Sequence, residues 1–138
     1  RLVPLAELAE RSGALPADAV AGLHRLAARA ADLLGPPEPP ARLHGDLWAG
    51  NRLVDRNGRN WLIDPAAFGG HREFDLAMMR LFGGFGVEVH AAYQEAWPLA
   101  DGWTERVEVL QLAPLVVHAI KFGGGYVGAA VGIIDRHR

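Results

Sequence analysis

A chain of 138 residues, half of them apolar and 22% charged, is long enough to bury a core and too apolar to stay disordered. Its formal net charge is −2, which gives no basic surplus for nucleic acid or an anionic membrane surface. It has no cysteine, so disulfides and cysteine-ligated metals are excluded and a reducing cytoplasm is permitted. The most apolar stretches, Val109–Ile120 and Tyr126–Ile134, fall well short of the ~20 residues a membrane span needs. No segment reads as a signal peptide. The first residue is Arg1 rather than methionine, so the chain is expected to be processed, trimmed or a fragment.

The first 35 residues carry a helical pattern. Leu5 and Leu8 open it. After Gly13 and Pro16, Val20, Leu23, Ala27, Ala30 and Leu34 recur at three- and four-residue spacing as one apolar stripe. Gly35 and the run Pro36–Pro40 end it as a stiff connector. A loop follows from Leu43 to Asn51. Then Arg52–Asp55 and Asn60–Asp64 read as two short strands joined by a turn at Asn57-Gly58, a strong hairpin signal. Pro65 stops the second strand. The remainder is helical, at about Arg72–Phe82, Glu88–Trp97, Thr104–Phe122 and a last piece after the glycines, with Pro114 expected to kink or break the third. The expected fold is mainly α with a small β-hairpin laid on a helical body, in a single domain over residues 1–138.

The chemistry clusters at the two ends of that hairpin. Phosphoryl transfer from a metal nucleotide needs a carboxylate beside the acceptor hydroxyl and hard oxygen ligands for Mg²⁺. His44-Gly45-Asp46, followed by four residues and then Asn51, fits the kinase catalytic-loop pattern H-R-D-x-x-x-x-N with glycine in its middle position. The hairpin then delivers Asp64 where kinases keep their metal-binding aspartate, here followed by Pro65-Ala66. A surface loop with turn-forming Asp and Asn is the plain alternative. In the helix from Arg72, a buried face of Phe74, Ala77, Met78 and Leu81 leaves Asp75 and Met79 on its flank. Asp75 either braces the catalytic loop or sits solvated at a helix start. Gly123, Gly125 and Gly128 satisfy G-x-G-x-x-G, but they follow a helix and not a strand, so they mark a helix end. Leu81–Gly86 is read as another helix end. His24, His71, His90 and His137 have no metal-ligand spacing and are expected at the surface.

Leu43–Asn51 (LHGDLWAGN), Leu62–Ala66 (LIDPA), Arg72–Met78 (REFDLAM), Leu81–Phe85 (LFGGF) and Phe122–Tyr126 (FGGGY) together resemble the fructosamine kinase family. That family is similar in fold to aminoglycoside phosphotransferases and, more distantly, to protein kinases. The resemblance implies the C-terminal lobe of a protein-kinase-like fold, with ATP and Mg²⁺ as cofactors. The acceptor it implies is a ketosamine, either a small glycated amine or a protein-bound adduct, phosphorylated in the cytoplasm. In this resemblance Asp46 is the catalytic base, Asn51 and Asp64 hold Mg²⁺, and His44 and Asp75 support the loop. Trp48 is placed to stack on a sugar or to pack in the core, and His118 resembles a position near the substrate or is a satisfied helix histidine.

Such kinases also carry an N-terminal lobe with a phosphate-covering loop and a strand lysine, and nothing before residue 40 can supply it. Three other readings stand beside this one. An aminoglycoside- or choline-type phosphotransferase would want more acidic residues than the scattered Glu88, Glu95, Glu105 and Glu108. A non-catalytic remnant or binding module would keep the fold alone. A metal-dependent hydrolase built on His44, Asp46 and Asp64 lacks further ligands. The absent lobe would leave apolar surface bare, open to that lobe or to self-association. The chain alone is therefore expected to turn over far below the ~1–100 s⁻¹ usual for kinases. A single-turnover assay with Mg²⁺-ATP checks this, and a rate within that range contradicts it.

Overall fold

A computed structural model describes all residues, Arg1–Arg138. The chain divides into two compact units, one of residues 1–35 with 108–138 and one of residues 36–107.

In the first unit, α1 (Leu2–Ser12) and α2 (Ala17–Ala28) pack against each other, and α2 also packs on α7 (Gly125–Arg136). A short α3 (Ala30–Leu33) follows α2. The apolar stripe falls where helical spacing puts it, but one step over. Ala19, Val20, Leu23 and Leu26 are fully or nearly buried, whereas Ala27 and Ala30 are only half-buried. Leu8 is exposed. The long α6 (Trp103–Phe122) begins in the second unit and continues into the first, where Leu112, Leu115 and Val116 are buried. It runs unbroken through Pro114. On its surface, Arg136 and His137 bond the Glu108 carboxylate, and the Arg136 bond, above all, holds that carboxyl below its ordinary range.

The second unit carries two small antiparallel sheets. The expected hairpin is present: β2 (Arg52–Val54) pairs with β3 (Asn60–Leu62), Leu53 opposite Trp61. Its turn is held by the Asp55 side chain, which accepts the backbone N–H groups of Asn57 and Arg59 and the Trp61 indole N–H. The second sheet was not anticipated. β1 (Ala41–Leu43) pairs with β4 (Phe68–Gly70), Leu43 opposite Phe68, so the start of the expected loop is a strand.

Helix α4 (Glu73–Leu81) lies beneath the loops, followed by α5 (Val87–Ala96). Leu76, Met79 and Leu99 form its core, flanked by Leu47, Phe85, Tyr93 and Trp103. Met79 is thus buried rather than on the helix flank, and Phe74 and Leu81 are only half-buried. His71 is half-buried rather than superficial, with an Nε2 that has no partner. His90 is also half-buried, and that burial, with Arg80 nearby, lowers its pKa. No helix is long and apolar enough to cross a membrane.

Two arginines fix the start of α4 and the loop that leads into α6. The Arg106 guanidinium forms a two-pronged pair with Glu73 (2.8 and 2.6 Å) and donates to the carbonyls of Ala100 and Asp101. Both residues are buried, at 8% and 3% exposure, so every charge there must be answered inside the protein. Removing one partner leaves the other charge buried and alone, which costs about 3–5 kcal/mol. Arg106→Leu should therefore lower unfolding free energy by that order in urea melts, and a loss below about 1 kcal/mol would contradict the pairing.

Arg72 does the same toward the proline connector. It grips Glu38 through Nε and Nη2 (2.7 and 3.0 Å) and donates to the carbonyls of Trp97 and Pro98 (both 2.8 Å). The Arg72 hydrogen bond is the main force holding the Glu38 carboxyl below its ordinary value of 4.5. A depressed carboxyl stabilises the fold above its unfolded pKa and loses that contribution as pH falls through the folded value. The stability deficit of Glu38→Gln should be about 1 kcal/mol near neutrality and should close as acid is added below the ordinary carboxylate range. A deficit independent of pH in parallel melts would contradict the pair.

Candidate active site

The site is built on the return of β1 into the loop and of α4 beneath it. Asp75, in the first turn of α4, points its carboxylate at the backbone of that loop. Oδ2 accepts the N–H of His44 at 2.7 Å and Oδ1 that of Gly45 at 2.9 Å. A half-buried carboxylate with two backbone donors is satisfied without a cation, and charge-assisted bonds of this kind are short and strong. Asp75 is thus a brace, not a solvated helix start.

His44 ties the loop to the hairpin. Its Nδ1 faces the N–H of Asp46 at 3.3 Å, so Nδ1 accepts. Nε2 then carries the proton and donates to the Ile63 carbonyl at 2.9 Å. The loop closes on itself through Asn51, which is 7% exposed. Asn51 Nδ2 donates to the Asp46 carbonyl at 2.8 Å and to Asp46 Oδ2 at 3.1 Å. With Nδ2 turned to Asp46, Asn51 Oδ1 takes no part in either of these bonds. The N–H of Ile63 bonds the Asn51 carbonyl at 3.0 Å, so Asp64 follows one residue after a point fixed to Asn51. Asp64 is exposed and has φ 51, the only non-glycine with positive φ. Aspartate visits this left-handed region at a modest cost, and such residues concentrate at functional sites.

Glycine in the middle of His44-Gly45-Asp46 has a structural reason. Gly45 has φ 83, and a Cβ there would lie 2.7 Å from the Ala66 carbonyl oxygen and 2.8 Å from the Phe68 ring. The β1–β4 pairing brings that chain too close for any side chain. Phe68 in turn packs edge-on against Phe74 at 5.4 Å, joining the second sheet to α4.

Trp48 is 42% exposed, so it is not a core residue. His118 belongs to the other unit, on α6. Its Nδ1 lies 2.8 Å from the Pro114 carbonyl, and its ring packs with Phe122 and Tyr126. Asp46, Asn51, Asp64, His44, Asp75 and Trp48 are therefore brought together within one unit, while His118 makes its contacts in the other. Sequence reasoning missed the Arg72–Glu38 and Glu73–Arg106 pairs. The charged start of Arg72–Met78 was on the page, but partners 33 and 34 residues away give no local signal.

An aspartate held by an asparagine, a hairpin with a second aspartate at its end and a helix carboxylate that accepts two N–H groups of the loop stand on a mainly helical body, the architecture of the C-terminal lobe of a kinase-like fold. The fructosamine kinase family model matches residues 1–137, and the chain belongs to that family. It is 50% identical over 92 residues to a Lactiplantibacillus plantarum protein named "Probable ketoamine kinase", covering 67% of this chain and 32% of that one. It is 41% identical over 95 residues to the mouse (Mus musculus) ketosamine-3-kinase, covering 69% of this chain and 30% of that one. A solved structure from Thermobifida fusca, provisionally assigned as a fructosamine-3-kinase, superposes with a TM-score of 0.89 at 44% identity. That match covers 96% of this chain and 46% of the other. The chain thus spans about a third of the length of the curated relatives it matches.

Asp75→Asn keeps one acceptor oxygen and turns an NH₂ toward a backbone N–H. It should cost about 1.5–3 kcal/mol of stability. It should also make the His44 and Gly45 amides exchange faster with solvent than those of α6, as read by hydrogen exchange. Unchanged protection of both amides would remove Asp75 as the brace.

Proposed function

We propose that this chain is the catalytic lobe of an ATP-dependent kinase that phosphorylates a sugar hydroxyl of a ketosamine in the cytoplasm, working as one domain over residues 1–138. One observation carries the reading. The Asp46 carboxylate is fixed by Asn51 through Oδ2, which leaves Oδ1 for an acceptor hydroxyl.

The residues present fit Mg²⁺. Asn51 offers Oδ1 and Asp64 an exposed carboxylate, both hard oxygen donors, and Mg²⁺ is commonly held by one or two carboxylates plus substrate phosphates rather than by a full protein cage. No cluster of three or more His, Asp or Glu groups is arranged to hold an ion, which accords with so sparse a set. When bound, Mg²⁺-ATP supplies the phosphoryl group and the charge that offsets it during transfer. Asp46 orients the sugar hydroxyl and takes its proton at Oδ1. His44 and Asp75 keep the loop backbone still while this happens, which is where most of the catalysis in phosphoryl transfer lies. The names of the relatives favour a ketosamine over an aminoglycoside or choline acceptor.

The test is single-turnover transfer from Mg²⁺-ATP to fructosyllysine with the chain in excess, product read by mass spectrometry. Slow, Asp46-dependent transfer is expected, falling at least ~100-fold in Asp46→Asn. Bound ATP with no transfer, or transfer that survives Asp46→Asn, would overturn the catalytic assignment.

A further inference from the structure

Helix α4 meets the loop between β1 and β2 at both of that loop's ends. The first turn of α4 carries Asp75, which accepts the His44 and Gly45 N–H groups where the loop begins. The turn that follows α4 meets the loop again where it closes. Gly84 has φ 87, and a Cβ built on it would overlap the Cβ of Ala49, the first residue of the 3₁₀ turn Ala49–Asn51. The Ala49 methyl is fixed to its own backbone and cannot swing aside. The two segments therefore stand closer than any residue but glycine permits.

The residue after Gly84 makes a second contact. Phe85 packs against the Leu76, Met79 and Leu99 core, and the Arg52 guanidinium stands over its ring at 5.8 Å. From the hairpin side, Arg52 Nε is held by Asn60 Oδ1 at 2.7 Å. Ala49 and Arg52 lie on either side of Asn51 in the chain. Two consecutive residues of one turn thus grip the backbone before and after Asn51, whose N–H bonds the Trp48 carbonyl at 3.0 Å and whose side chain reaches Asp46.

Gly83 supplies the contrast. It has φ 68, but a Cβ there would meet nothing within 4 Å. Gly83 is needed for the direction of the chain, whereas Gly84 is needed for direction and closeness together. A turn that only ended a helix would require the first property and not the second.

We propose that Gly84 is a positioning residue for Asn51. The Gly84–Phe85 turn is the second jaw of a clamp whose first jaw is Asp75, and the two ends of α4 together fix the spacing between Asp46 and Asn51. A small divalent cation demands near-ideal ligand geometry, and sites of this kind tolerate misplacement of only about 0.5 Å. The presence of a cation at Asn51 rests on the function proposed above, while the clamp on Asn51 does not.

The experiment compares Gly84→Ala with Gly83→Ala in the ¹⁵N-labelled 138-residue chain by NMR. Both variants place a methyl at positive φ and share that backbone strain, but only Gly84→Ala meets Ala49. In Gly84→Ala the Asn51 backbone amide should exchange with solvent about tenfold faster than in Gly83→Ala, and about tenfold more Mn²⁺ should be needed to broaden its signal in the presence of ATP. The His44 and Gly45 amides, held by Asp75, should keep their protection. Adding Ala49→Gly to Gly84→Ala removes the opposing methyl and should bring both readouts back to within about threefold of Gly83→Ala. Faster Asn51 exchange that Ala49→Gly reverses, with no Mn²⁺ broadening at Asn51 in any variant or in the parent chain, would uphold the clamp and overturn the cation reading. Equal Asn51 exchange in Gly84→Ala and Gly83→Ala, or a change that Ala49→Gly does not reverse, would overturn the clamp. If Gly84→Ala does not fold, the double variant decides: recovery of the folded spectrum supports the contact, and failure to recover it overturns the proposal.

Discussion

Everything in the candidate site hangs on the two backbone N–H groups that the Asp75 carboxylate accepts from His44 and Gly45. The loop between β1 and β2 has no regular ladder to hold it, and a loop without partners for its backbone donors would be solvated and mobile. A single carboxylate answers two consecutive donors and fixes the direction in which Asp46 leaves the loop. His44 then couples that segment to Ile63, and Ile63 to Asn51. Three short contacts thus connect Asp46, the Asn51 amide that holds it and Asp64 at the end of the hairpin.

For such a brace to work, the helix carrying it must itself be immobile. Residues on a helix turn through about 100° each, so Arg72, Glu73 and Asp75 leave the first turn of α4 in three directions. Arg72 takes hold of Glu38 before β1, Glu73 of Arg106 at the start of α6, and Asp75 of the loop. Each charge is buried or half-buried and each is answered by at least two hydrogen bonds, the condition under which burying it is tolerable. The glycines complete the arrangement by subtraction. At Gly45 the missing side chain admits Phe68 and the Ala66 carbonyl, and at Gly84 it lets the end of α4 rest on the loop.

Much of this was legible in the sequence, because the decisive signals are local. The Asn57-Gly58 turn between two apolar runs announced the β2–β3 hairpin, and the spacing from His44 to Asn51 and Asp64 announced the chemistry at its ends. Helix periodicity put Asp75 off the buried face, which raised the question of what it served. The β1–β4 sheet was not legible. Ala41–Leu43 and Phe68–Gly70 are three residues each, too short to establish a period, and the second includes two glycines, so only tertiary pairing makes them strands. Met79 was misplaced by one step because α4 is packed on more than one side and its buried arc is wider than a single stripe. His71 was taken for a surface residue because a lone histidine carries no sign of the charged groups that fold around it. Arg106 and Glu73 were unreadable for the opposite reason, since charged residues far apart in sequence are solvated more often than paired.

The central claim is that the hairpin brings Asn51 and Asp64 to a single divalent cation beside Asp46. Paramagnetic relaxation with Mn²⁺ in place of Mg²⁺, in the presence of ATP, tests it most directly. If the account is right, the backbone amide signals of Asn51 and Asp64 broaden first and together, and Asp64→Asn abolishes the effect at both. Broadening centred on other carboxylates, or at Asp64 with none at Asn51, would contradict it.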